Sequence, residues 1–228
     1  MNLFACDARL VGRLIVKDWQ VCQKQLAGYL AGIVLALGLI GTGAPWAAAA
    51  GALLLLVLLV VCGSYTIETS LLAERKQQTL AFVMSLPVSP MDVYWGKLLA
   101  NLVIYLVPFA VVTGGMIVLI LTTPIPDGTV VWTVLTAGFM LASFCASLGF
   151  AIACESEGWN IFVMLGLMTL IGPFMYLVSR LDGVAPFIRT EDIVWSATVL
   201  RVLAAELAAI VLALLASSWF HTRKTAFL

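Results

Sequence analysis

Side chains able to make or break bonds are sparse in this chain, and their spacing does not favour it. The single histidine, His221, lies three residues from Lys224, so the apolar bulk of the sequence has no His-based metal cluster and no Ser–His pair. Cys6, Cys22, Cys62, Cys145 and Cys154 show no CxxC spacing and read as buried or cytosolic thiols, with no disulfide framework. Inside the apolar runs the polar residues are Asn101, Glu206 and scattered Ser and Thr. Glu206 has no second carboxylate nearby in sequence with which to form an acid–base dyad. Gly96-Lys97 lacks both the glycine five positions earlier and the Ser or Thr that follows in a phosphate-cradling loop. The expectation is a chain that is not an enzyme, with no cofactor or metal of its own.

The longest polar interruption runs from Glu68 to Lys97. It holds Glu68, Glu74, Arg75, Lys76, Asp92 and Lys97, six of the chain's 12 basic and 12 acidic residues. At 100° per residue Leu72, Phe82, Val83 and Leu86 share a face, with Glu74, Gln77, Gln78 and Ala81 opposite, which predicts a short amphipathic helix. Pro87 must end it near Leu86, because proline cannot donate the i→i−4 bond. A second helix is expected at once: Ser89 can cap it, Pro90 sits at its first position, and Asp92 faces its free N–H groups. A helix, a proline break and a capped return form a stiff bracket that can pass a push from a soluble partner to a membrane helix.

The order Glu74-Arg75, Thr79-Leu80, Ser85-Leu86-Pro87-Val88-Ser89 and Gly96-Lys97-Leu98-Leu99 resembles the coupling segment of the type-2 ATP-binding cassette (ABC) exporter permeases. The resemblance implies that 68–97 is a cytoplasmic coupling segment seated on a separate ATPase subunit. Glu74, Arg75, Thr79, Leu80, Phe82 and Leu86 would make that contact. It also implies that ATP and Mg are bound by the partner, and that two permease copies, identical or paralogous, form the pathway between them.

The remaining sequence supplies the elements. With 63% hydrophobic and 11% charged residues among 228, and a mean hydropathy of +1.10, the chain reads as polytopic and membrane-embedded. The fold expected is an all-α membrane protein formed by one permease domain, 1–228: six transmembrane helices preceded by an amphipathic interfacial helix. That helix, 4–24, carries Arg9, Arg13, Lys17, Gln20 and Lys24 in one stripe and is expected to lie on an anionic leaflet. Asp18 projects from its apolar side and must pair with a basic group or be covered by protein; Lys17-Asp18-Trp19 is also similar to a segment of the family's N-terminal connecting helix. The first twenty residues lack the apolar core of a signal peptide.

Spans are expected at 26–42, 46–66, 98–121, 130–153, 161–178 and 196–220. Gly28, Gly32 and Ala36 form an extended GxxxG suited to close helix approach, and hence to packing in a dimer. Gly41–Pro45 reads as a tight turn, Pro108 as a kink, and Gly138, Ala142, Ala146 and Gly149 as a small-residue packing face beside Ser143 and Ser147. In the family the equivalent of 179–195 forms short helices dipping into the outer leaflet; here few residues remain for it. Asn101 and Glu206 are candidate pathway or structural polar residues. A carboxylate facing lipid is expensive, so Glu206 should face protein or water, with Arg201 or an outer-loop arginine as its structural partner or substrate as its alternative.

Nine lysines and arginines fall on the side shared by the termini and 68–97, and only Arg180, Arg189 and Arg201 fall opposite. This charge bias places both termini and the bracket in the cytoplasm of a multi-pass protein of the inner membrane. The function expected is the permease subunit of an ABC exporter moving an apolar or amphipathic substrate, with ATPase subunits, a second permease copy and lipid as partners, and no nucleic acid. The rivals are a membrane enzyme, a non-transporting assembly scaffold, or a heme-handling permease of cytochrome c maturation.

Overall fold

Six apolar stretches dominate the chain, and helices occupy all of them. A computed structural model describes residues 8–72, 90–154 and 156–223. The helices are α1 (Ala8–Gly41), α2 (Pro45–Ile67), α3 (Pro90–Thr122), α4 (Thr129–Ala153), α5 (Glu157–Thr169), α6 (Ile171–Arg180) and α7 (Ala197–Arg223), with a π-helical turn, Glu68–Leu72, prolonging α2. Among the described residues there is no strand. Six helical stretches are long and apolar enough to cross a membrane: Val11–Gly41, Pro45–Leu72, Met91–Thr122, Thr129–Ala153, Glu157–Arg180 and Ala197–Phe220. Each of the six expected spans falls on one of them.

The N-terminal segment differs from expectation. The separate surface helix over 4–24 is not seen as such: 34 residues from Ala8 to Gly41 form one helix, about 51 Å long at 1.5 Å per residue. Nothing between Arg13 and Ala27 breaks a helix, since neither proline nor glycine occurs there. Its apolar side is covered by protein. Val11, Asp18, Cys22 and Leu26 are buried, and the Leu14 side chain packs so closely on Gly96 that a Cβ there would lie 2.8 Å from Leu14 Cδ1. Arg13, Lys17, Gln20 and Lys24 remain exposed, as the stripe predicts.

Proline and glycine set the other boundaries. Gly43 adopts φ 72°, the left-handed conformation that glycine accepts most cheaply, and turns the chain from α1 into α2, which starts on Pro45. Helix α3 starts on Pro90 with Asp92 in its first turn, as read from the sequence, and continues through Pro108. The fifth span is divided. Pro173 cannot donate to Thr169, the residue four before it, and the helix breaks at Leu170 between α5 and α6. Residues 181–190 fold as successive turns, closed by bonds such as Val184 N to Leu181 O (2.8 Å) and Ile188 N to Val184 O (3.2 Å), and form no helix. They cap the far end of α4, where Gly128 N donates to Thr190 O at 3.0 Å.

Helix α1 lies against α2 and α3, α3 against α4, and α4 against α7, with α5 and α6 also resting on α4. The main core joins α1 to α4, with Ile33, Ala36, Leu55, Leu59, Leu98, Tyr105, Phe144 and Leu148 among its members. A smaller one, Val131, Leu135, Val178, Val184 and Val199, closes the end formed by the 181–190 turns. The large exposed side chains, among them Val34, Leu53, Phe162, Leu177 and Leu212, form the outward surface that a bilayer would solvate.

Candidate functional site

The π turn at the end of α2 places Ser70 inside the bundle and creates a four-residue polar network. Ser70 Oγ donates to Asp18 Oδ2 of α1 at 3.0 Å. Lys97 Nζ of α3 reaches the same carboxylate, 3.0 Å from Oδ2 and 3.3 Å from Oδ1. Asn101, one turn further along α3, donates from Nδ2 to Ser70 Oγ at 2.9 Å and to Lys97 O at 2.8 Å. All four residues are buried, Asn101 completely. Asn101 Oδ1 lacks a hydrogen-bond partner.

An ion pair removed from water is stable only when its remaining valences are met, because desolvation costs several kcal/mol per ion. Here Asp18 receives two lysine contacts and one hydroxyl. The sequence required that Asp18 be paired or covered; it is both. Lys97, read as part of the polar bracket, and Asn101, a candidate pathway residue, belong to the same cluster. Ser70 carried no signal of its own, since its partners lie 52 and 31 positions away.

The network joins the two ends of the chain that lead into residues 73–89. The expected coupling residues Glu74, Arg75, Thr79, Leu80, Phe82 and Leu86 lie outside the described residues. Just inside the bundle, Tyr94 is buried, and its hydroxyl donates to Leu214 O of α7 at 3.5 Å. The first turns of α3 therefore contact both α1 and α7.

The other candidates are dispersed. Ala36 is fully buried against α2, where a Cβ on Gly51 would lie 2.7 Å from Ala36 O. Gly32 faces Leu58 of α2, with 3.1 Å from a built Cβ to Leu58 Cδ1, whereas Gly28 is exposed and has nothing within 4 Å. The glycine motif thus packs α1 on α2 within the chain at Gly32 and Ala36 and leaves Gly28 open. On α4, Gly138 and Gly149 face α7: Gly138 makes room for the Glu206 carboxylate, and Gly149 faces Ala213 O and Ser217 Cβ. Glu206 is 7% exposed, and neither carboxylate oxygen has a hydrogen-bond partner. The expected pairing with Arg201 is absent, and Arg201 itself is exposed. On a helix the two are five positions apart, about 140° around the axis, which directs them to different faces.

No group of three or more His, Cys, Asp or Glu side chains among the described residues is arranged to hold a metal. These features define a multi-pass helical membrane protein with a buried ionic network at one end of its bundle. Neither a protein-family model, nor a curated protein, nor a solved structure matches the chain.

Proposed function

We propose that the chain is the membrane-spanning permease subunit of a type-2 ABC exporter, moving an apolar or amphipathic substrate across the inner membrane on energy from a separate ATPase. The observation that carries this reading is the Asp18–Ser70–Lys97–Asn101 network. It fastens α1, the end of α2 and the start of α3 together where the chain leaves for, and returns from, residues 73–89. A displacement of that segment acts on three spans at once, which a transmission contact needs and a plain loop lacks. The Glu74-Arg75, Thr79-Leu80 and Leu86-Pro87-Val88-Ser89 order supports the same reading, as does the missing phosphate loop, which leaves ATP and Mg to a partner. Two copies of the chain and two ATPases would form the assembly, with both termini cytoplasmic.

The test is co-expression with candidate ATPases, beginning with any encoded beside the gene. The complex should co-purify, and its ATP hydrolysis should fall when Glu74→Ala and Arg75→Ala are combined. Loss of charged contacts at an interface costs about 2–5 kcal/mol when they are buried. Unaltered hydrolysis and an intact complex in the double variant would remove the coupling role. A stable complex that moves no substrate would identify a scaffold instead.

A further inference from the structure

Two glycines of α4 each receive a polar side chain from α7. Gly138 makes room for the Glu206 carboxyl, whose Cδ lies 3.0 Å from a Cβ built on the glycine, and Gly149 faces Ser217, with 3.3 Å from its built Cβ to Ser217 Cβ. The glycines are eleven residues apart, and so are Glu206 and Ser217, which is about three turns on each helix. The two helices therefore run side by side in the same direction, with both pairs on one seam. Glu206 and Ser217 are buried in it. Helix α7 has little else to hold it: α4 is its main neighbour, and Leu200, Leu207, Leu212 and Leu215 on its other side are exposed.

The surface that meets the carboxyl offers acceptors and no donors. Inside a helix the N–H groups are committed to i→i−4 bonds, while each carbonyl keeps a second lone pair. At Gly138 no side chain covers that backbone. An ionised carboxylate, which only accepts, finds no donor there, whereas a protonated one can give its O–H to a carbonyl. Among the described residues no donor reaches either Glu206 oxygen, and Thr136, two residues from Gly138, spends its hydroxyl on Trp132 O at 2.9 Å. No cation faces the carboxyl either. Helix α4 contains no Asp, Glu, Lys, Arg or His, and its Cys145 packs in the main core. Arg201 of α7, Arg180 of α6, and Asp182 and Arg189 of the 181–190 turns are exposed. The charged and titratable groups at the start of α3 lie further along: Lys97 is bound to Asp18, and Tyr94 meets Leu214, eight residues or about 12 Å past Glu206. A charged group buried without a partner is far costlier than its neutral form.

We propose that Glu206 is a single-proton site and that its proton holds α7 against α4. With the proton bound, the neutral acid sits on the α4 backbone at Gly138. When the proton leaves to water, a carboxylate with neither donor nor cation remains between the helices, and α7 moves off α4 to hydrate it. The seam is thus a latch that is closed at low pH and loosens as pH rises. A proton held by the folded chain and lost on unfolding makes stability fall as pH rises above the ordinary glutamic acid value, about 4.3. The site does not rest on the exporter reading.

The experiment compares the purified full-length chain with its Glu206→Gln variant, which keeps the shape and a donor but cannot ionise, from about pH 5.5 to about pH 8 in one detergent. Infrared spectroscopy in heavy water should show a carboxylic acid C=O band in the wild type that the variant lacks and that fades as pH rises. The unfolding constant of the wild type relative to the variant should grow by up to about tenfold per pH unit. Hydrogen exchange over 204–214 should quicken with pH in the wild type relative to the variant, while exchange over α2 should not. Glu206→Asp, which keeps the acid on a shorter stem, should displace the infrared band, so the assignment does not depend on the Gln variant folding. A band unchanged by both substitutions, or a stability ratio constant within about twofold across the range, would overturn the proposal. Titration of the band with no change in exchange along α7 would overturn the latch.

Discussion

Replacing Lys97 with methionine is the sharpest probe of the polar network. Methionine keeps the length of the stem but removes the only cation among the described residues within 4 Å of Asp18, leaving that carboxylate buried beside the Ser70 hydroxyl. Breaking a buried ion pair by deleting one partner costs about 3–5 kcal/mol, whereas replacing both partners together is often close to neutral. Lys97→Met and Asp18→Asn should each lower stability by about that amount, and the double variant by far less than their sum. The coupling energy is the shortfall of the double variant from that sum, and it should exceed about 1 kcal/mol. The assay is thermal unfolding in a single detergent, read as loss of the monodisperse chromatographic peak, with all four members of the cycle measured side by side. If each single variant shifts stability by less than about 1 kcal/mol, or the two losses simply add, the pair is solvated and does not fasten the three spans.

Other substitutions test the packing. Gly51→Ala would drive a Cβ to 2.7 Å from both Ala36 O and Ile40 Cγ1, so unfolding measurements should show a loss of about 1–3 kcal/mol, typical of overpacking. Gly28→Leu enters open space and should leave the thermal stability of the isolated chain unchanged; cross-linking yield between copies then reports whether that face meets a second chain. Glu206→Leu removes a buried carboxylate whose oxygens lack partners. It should match or exceed the wild type in stability, since a charged carboxylate in mid-membrane costs about 2.5–3.5 kcal/mol, and a marked loss would reveal a partner for Glu206 in the assembled protein.

Hydropathy was sufficient to locate the spans, because each needs only length and apolar composition. Proline and glycine were sufficient for the turn at Gly43 and the start at Pro90, because their backbone restrictions are local. The fifth span was read as one continuous stretch, 161–178; its division follows from Pro173, but a proline can also sit within an unbroken helix, as Pro108 does, so the sequence alone does not show the break at Leu170. The length of α1 was missed for the opposite reason: a basic stripe over an apolar face fits a membrane surface as well as it fits a helix docked on α3, and only tertiary contact decides between them. The network is non-local. Asp18 and Lys97 are 79 positions apart, and periodicity contains no term for that distance. Arg201 was a natural partner for Glu206 by proximity in sequence, yet five residues on a helix separate faces.

The π turn at Glu68–Leu72 has a consequence for how α2 ends. A π turn holds more residues than an α turn, so closing it to α geometry would release one residue of slack, about 100° of rotation and 1.5 Å of rise. Ser70 lies within that turn and is tethered to both α1 and α3. The pin is thus set in the link of the helix most able to change its winding. Rewinding of the backbone at 68–72 would strain the Ser70 bonds to Asp18 and Asn101, so the two hydrogen bonds hold the turn in its π geometry.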